Sequence, residues 1–215
     1  MKIRIAFGTG VLLGLWSGRV EVPPTTAHFL THYDHRCLAG CQFCPQASGS
    51  TTDLSMLSRV VWPAADFDKV IDQLRRHAAE FERACLQCVN YPTVFEDALQ
   101  IVRRIRQASD LPISVSIRPL SPAEMRELAD AGVERFCFPL DACTEKIFAR
   151  VKRGYRWSEH LKCLERASRE FPNRITTHLI IGLGETEEQA IRMIERLHSR
   201  GITVGLFAFM PVKGT

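Results

Sequence analysis

The 215-residue chain has no apolar run long enough to cross a bilayer, no block of single-sign charge, no repeat at a fixed period, and no linker or low-complexity segment. A spanning helix needs about 20 consecutive apolar residues, so a membrane protein of that type is excluded. The charge is dispersed: 28 Lys and Arg oppose 24 Asp and Glu for a net +4. They intermingle on helical stretches such as 77–83 (HAAEFER). That is a solvated face and leaves no nucleic-acid footprint. With 46% apolar and 24% charged residues, the chain is too hydrophobic to be disordered, and its length suits one domain with a real core.

Cysteine is plentiful by contrast, with eight in all. A secreted disulfide scaffold would be smaller and would spread them along the chain. Here Cys37, Cys41 and Cys44 crowd one loop, RCLAGCQFCPQ, with spacing C-x3-C-x2-C. Metal binding in a reducing cytoplasm fits that pattern. The N-terminal stretch, with Lys2 and Arg4 before modest apolarity up to Trp16, superficially resembles a signal peptide. Gly8, Gly10 and Gly14 interrupt it and no small-residue cleavage site follows, so residues 1–24 read as an N-terminal extension packed on a domain spanning 25–215.

From Thr25 onward, strand-like and helix-like segments alternate. Strands are expected at 25–32, 84–89, 112–118, 135–140, 175–182 and 203–210. Helices are expected at 66–83, 95–109, 121–132, 144–151, 158–170 and 186–200. Ser121-Pro122-Ala123-Glu124 is a capping-box helix start, and Thr186 with Gln189 is another. Six strands with helical connections imply an α/β fold with parallel strands and right-handed crossovers. A partial (β/α)6 barrel is the natural closure, with an open doubly wound sheet as the competing one. In a parallel barrel the chemistry sits at the C-terminal strand ends, where the cysteine loop falls.

Four thiolates normally hold a [4Fe–4S] cluster. Three in one tight loop leave one iron open to a small molecule. With aromatic Phe43 before the last cysteine, the loop resembles that of the radical S-adenosylmethionine (SAM) superfamily. His178-x-Ile180-x-Gly182-x-x-Glu185 is similar to that family's fifth-strand motif G-x-I-x-G-x-x-E, with His178 in place of the first glycine. The segments 41–46 (CQFCPQ), Leu140-Asp141, 182–186 (GLGET) and 213–215 (KGT) narrow the resemblance to biotin synthase and its relatives, over about Thr25 to Thr215.

The resemblance implies a [4Fe–4S] cluster on Cys37, Cys41 and Cys44, with the amino and carboxylate groups of SAM on the open iron. Electron transfer into the sulfonium would yield a 5′-deoxyadenosyl radical that takes hydrogen from an unactivated carbon. Phe43 and Ile180 would lie against adenine, Asp141 would bind ribose, and Gly182 and Glu185 would complete the SAM motif. Arg118 either grips the SAM carboxylate or pairs with a surface acid, and Arg153 is the alternative for that grip. An electron donor such as flavodoxin or ferredoxin is implied.

Biotin synthase also holds a [2Fe–2S] cluster on three cysteines and an arginine. Cys85 matches the first of these cysteines, but Ser114 and Thr176 stand at the other two positions. That cluster is therefore not carried over. Cys85, Cys88, Cys137 and Cys143 could instead hold an auxiliary cluster near the barrel mouth, or be buried as small hydrophobes; both readings stay open, and Cys163 reads as structural. A second cluster resembles the split lipoyl synthases, which implies sulfur insertion, an acyl-bearing lipoyl domain and a sister radical SAM subunit. The alternatives are a single-cluster radical SAM enzyme for rearrangement, C–C cleavage or cofactor maturation, and a non-catalytic iron–sulfur or zinc-binding module. His178 faces the barrel either as a ligand contact or as a hydrogen-bonded interior residue.

Overall fold

The alternating pattern becomes a curved sheet wrapped by helices in the computed structural model, which describes residues 1–215. Strand β1 (Lys2–Ile5) and helix α1 (Phe7–Leu12) precede β2 (Thr26–Thr31). The cysteine loop follows, carrying the two-residue β3 (Gly40–Cys41), and then come β4 (Met56–Leu57) and β5 (Val60–Val61), which pair only with each other. Next are β6 (Ala64–Asp66), α2 (Phe67–His77), β7 (Arg83–Gln87), α3 (Val94–Ala108), β8 (Ile113–Ser116) and α4 (Pro122–Asp130). The chain continues through β9 (Val133–Cys137), α5 (Glu145–Val151), β10 (Lys152–Arg153), α6 (Trp157–Glu170), β11 (Ile175–Ile181), α7 (Glu187–His198) and β12 (Thr203–Ala208).

The main sheet has eight strands in the order β12-β11-β9-β8-β7-β2-β1-β6. From β2 to β12 all neighbours are parallel, which gives the six expected strands and the partial-barrel form. Period-2 patterning sets the two faces. On β8, Ile113 and Val115 are buried toward the helices, while Ser114 and Ser116 turn to the inner face. Arg83, Cys85 and Gln87 of β7 share that polar inner face, where Arg83 Nη1 donates to Ser114 Oγ at 2.9 Å. The apolar stripes of the helices seal the outer face: Phe67, Val70, Ile71 and Leu74 of α2 and Ala98, Leu99, Val102 and Ile105 of α3 are all buried. Both expected capping boxes form, at Ser121/Glu124 and Thr186/Gln189.

Helix α2 stops at His77, short of the expected 83, and two features of the sheet also depart from the expectations. Residues 1–24 are more than an appended extension, because β1 pairs antiparallel with both β2 and β6 and so lengthens the sheet. Its Ile3 and Ile5 are fully buried in the single 51-residue core. The fourth parallel strand runs over Val133–Cys137, starting two residues and ending three residues earlier than the expected 135–140. Pro139 has no N–H to donate, and Asp141 takes φ +66°, so regular pairing stops after Cys137. The segment still follows β11 through Phe138 N to Thr176 O (3.2 Å) and an isolated bridge between Asp141 and Leu179.

Candidate functional site

The loop after β2 is pinned on three sides. Gly40–Cys41 pairs antiparallel with Lys152–Arg153, and Gln42 N donates to Val151 O at 2.8 Å. Leu38 N donates to Asn90 O at 2.8 Å, and Asn90 N returns a hydrogen bond to Cys37 Sγ at 3.2 Å. Inside the loop, Cys37 N donates to Gln46 O and Cys44 N to Cys41 O. The buried Gln46 amide donates to Leu54 O (2.8 Å) and Met56 O (2.6 Å), so the far limb is fixed too.

Cys37, Cys41 and Cys44 all line one cavity of about 200 Å³ inside the strand ends, together with Phe43, Cys88, Arg118, Asp141, Lys152 and His178. Burial pushes the Cys44 thiol up to about 11, with Cys37 adding to the rise and backbone N–H groups opposing it. Burial raises the Cys41 thiol further, partly offset by the Lys152 charge. Thiolates become stable in such a place only beside a cation. No three His, Cys, Asp or Glu side chains close tightly enough to grip a single ion. A donor set of three thiols spread over one cavity suits a multi-iron cluster, in which each thiolate takes a different metal atom. The residues therefore fit a [4Fe–4S] group.

Beside the loop lies a buried ion pair. Lys152 Nζ is 2.6 Å from Asp141 Oδ2 and also donates to Pro139 O. The ammonium stands over the rings of Tyr155 (5.3 Å) and Phe148 (5.7 Å). Asp141 is thus held at the end of the β9 segment, with its backbone tied to β11 through Asp141 N to His178 O and Ile180 N to Asp141 O.

On β11 the turn after the strand is built by its own glutamate. Glu185 accepts from Gly182 N at 2.5 Å and from Leu183 N at 3.0 Å. Gly182 and Gly184 both take φ near +107°, which only glycine adopts without strain. Ile180, His178, Phe43 and Asp141 line a second cavity of about 430 Å³ that opens between the two edges of the barrel. Gly182, Phe43 and Arg153 line a third, of about 730 Å³, on the other side of the cysteine loop. Arg118 reaches the cluster cavity but is engaged by Glu124 Oε1 at 3.0 Å and Pro119 O at 2.9 Å. Arg153 forms no such pair and is exposed.

The four remaining candidate cysteines are not gathered. Cys88 opens on the cluster cavity. Cys85 lies on the inner face of β7, in register with Ser114 and His28. Cys137 Sγ is 3.4 Å from His178 Nε2, which places His178 in the interior as a hydrogen-bonded residue. Cys143 is buried in the apolar core. Burial raises the Cys85 and Cys143 thiols to about 11 each. Cys163 packs inside α6 with its thiol 3.8 Å from Leu120 O. Sequence reasoning missed Lys152 and Tyr155. The one available signal was that Lys152 directly precedes Arg153 in the Lys-Arg-Gly-Tyr turn.

Known proteins share the sequence family and the fold of this chain. The family model described as the radical SAM superfamily matches residues 34–211. The biotin synthase of Desulforudis audaxviator is 28% identical over 185 residues, covering 84% of this chain and 54% of that protein. The biotin synthase of Clostridium acetobutylicum is 23% identical over 188 residues, covering 83% of this chain and 55% of its own length. The chain thus spans about half the length of these curated relatives. Among solved structures, a methylornithine synthase superposes with a TM-score of 0.72 at 14% identity, covering 97% of this chain and 59% of that one. Coproporphyrinogen III oxidase from Escherichia coli, described as a radical SAM enzyme, gives 0.55 at 16% identity, covering 96% and 49%. At these identities the superpositions speak for the fold alone, and that fold is the partial barrel.

Proposed function

This chain belongs to the radical SAM superfamily, in its biotin synthase-related group, and from that premise we propose that it generates a substrate radical with one [4Fe–4S] cluster held by Cys37, Cys41 and Cys44. The observation that carries the single-cluster reading is that these three thiols share a cavity while Cys85, Cys137 and Cys143 do not line it. When bound at these three thiols, such a cluster would supply the electron for reductive cleavage of SAM, the chemistry that lets a hydrogen atom be taken from an unactivated C–H bond.

The chain's own residues position and shield these groups. Phe43 and Ile180 present apolar surface to adenine in the 430 Å³ cavity that both line. Asp141 is fixed by Lys152 through Oδ2, which leaves Oδ1 for a ribose hydroxyl. Glu185 holds the Gly182–Leu183 turn in shape, and Arg153, free of ion pairs, takes the SAM carboxylate in preference to the engaged Arg118. The catalytic unit is residues 25–215, with residues 1–24 closing its far edge. A flavodoxin or ferredoxin in the cytoplasm serves as the reductant.

A second reading is sulfur insertion of the biotin or lipoyl synthase kind. It is supported by the likeness to biotin synthases and by Cys88 opening on the cluster cavity, with Cys85 three residues before it on β7. Its partners would be an acyl-bearing lipoyl domain and a sister subunit, and an auxiliary cluster would be the sulfur source. Anaerobic iron and sulfide counting separates the two. About four irons per chain, unchanged in Cys85→Ala/Cys88→Ala, supports one cluster. A higher count that falls in the double variant supports sulfur insertion.

A further inference from the structure

The chain has three buried side-chain polar atoms without a hydrogen-bond partner: Arg4 Nη1, His28 Nδ1 and Trp62 Nε1. They are neighbours. Arg4 pairs with Leu30 across β1 and β2, so it shares the inner sheet face with Leu30 and with His28 two residues before it. Arg4 also pairs with Ala64 of β6, two residues after Trp62. The His28 and Trp62 rings meet edge to face with centroids 6.2 Å apart. Arg4 is 7% exposed and Trp62 5%.

An arginine cannot shed its charge, so burying it unpaired is costly. Trp Nε1 only donates, and a neutral His can donate through Nδ1. Three donors around one buried positive charge describe a receptor for an anion. Trp62 also lines the 430 Å³ cavity that carries Phe43 and Cys44 of the cluster loop. We propose that Arg4, Trp62 and His28 form the anchoring site for the carboxylate of a small carboxylic-acid substrate, whose other end extends along this cavity toward the cysteine loop.

A carboxylate suits the site better than a phosphate. Burial disfavours the charged form of His28, which leaves one lasting positive charge, enough for a monoanion. Burial also opposes the charge on Arg4, with Asp53 and Asp34 favouring it from a distance and neither closing on Nη1. A planar carboxylate matches the fork of a single guanidinium. A carrier-bound acyl group, whose carboxyl is tied up in a covalent bond, would leave the site unfilled.

The inference deepens the reading of the barrel as a substrate chamber and rests on it. The test is calorimetric titration of the whole reconstituted chain with hexanoate, hexanamide and inorganic phosphate, without SAM or reductant. Hexanoate should bind about tenfold more tightly than hexanamide or phosphate, and Arg4→Gln should remove that advantage. Trp62→Phe, which keeps an aromatic ring and deletes the N–H, should weaken hexanoate alone and serves if Arg4→Gln fails to fold. Without ligand, Arg4→Met should melt at the same temperature as wild type or higher, because it removes an unpaired buried charge. Equal hexanoate affinity in wild type and in Arg4→Gln or Trp62→Phe, preference for phosphate, no hexanoate binding, or a lower melting point for Arg4→Met overturns the assignment. Failure of the wild type to form 5′-deoxyadenosine would strike the radical reading instead, and is measured separately.

Discussion

Replacing Lys152 by Met should damage this protein more than any other single charge removal. The ammonium lies 2.6 Å from Asp141 Oδ2, with side-chain exposures of 5% and 10%, and it also satisfies the Pro139 carbonyl. Removing one partner of such a pair leaves a buried carboxylate uncompensated, which costs about 3–5 kcal/mol. In a chain of this size each kcal/mol lowers the melting midpoint by about 2–4 °C, so the loss should be about 6–20 °C. Thermal unfolding followed by circular dichroism under anaerobic conditions reads it directly. The double variant Lys152→Met/Asp141→Asn should recover at least half of the loss, because the amide is neutral and Asn tolerates the φ of +66° at that position. Iron content should fall in the single variant, since Lys152 belongs to the strand that pairs with Cys41. A loss below about 1 kcal/mol, the size of an exposed pair, would refute the reasoning.

Glu185→Gln should loosen the Gly182–Leu183 turn, because a carboxylate accepting two backbone hydrogen bonds becomes an amide that accepts through one oxygen. The dissociation constant for SAM, measured by equilibrium dialysis, should rise about tenfold, as loss of a charged hydrogen bond worth about 1.5–3 kcal/mol requires; unchanged affinity would show that the turn holds without it. Burial, aided by the Lys152 charge, depresses His160 from 6.5 to about 3. The unfolded chain then binds a proton that the folded chain refuses, so stability is full above about pH 6.5 and falls as pH drops toward 3. His160→Gln should flatten that slope in urea titrations run across the interval, and an identical slope would remove His160 from the account. Ser121→Ala should cost about 1 kcal/mol by opening the α4 capping box, visible as a lower urea midpoint at unchanged slope.

Much of this architecture was legible from local pattern. The six parallel strands announced themselves through short apolar or alternating runs, and the helix starts at Ser121 and Thr186 through capping residues whose chemistry needs no tertiary context. The cysteine loop was legible because three thiols in eight residues have few other uses. The edge strands β1 and β6 were not. One lies ahead of a glycine-interrupted stretch and the other is three residues long; β1 is a strand because β2 offers an open edge, and β6 because β1 then offers one in turn. Lys152 carries no signal of its own in the sequence, and only the folding of α5 back toward Pro139 and Asp141 buries it. Arg118 illustrates a shared acceptor: Glu124 was visible as a capping residue, but not that Oε1 would hold Arg118 while Oε2 caps the helix. A strand ending at Leu140 would place Cys143 just past it, either as a cluster ligand near the mouth or as a buried small hydrophobe. The strand stops at Cys137, and Pro139 with Asp141 redirects the chain so that Cys143 joins the apolar core.

The central claim is that three loop thiols hold a cluster whose uncommitted iron engages SAM. The direct measurement is 5′-deoxyadenosine formed by the anaerobically reconstituted chain given SAM and dithionite, beside Cys41→Ala treated identically. The account predicts 5′-deoxyadenosine from the wild type and none from the variant. Equal yields from the two, or none from a wild type carrying its full complement of iron, would contradict it.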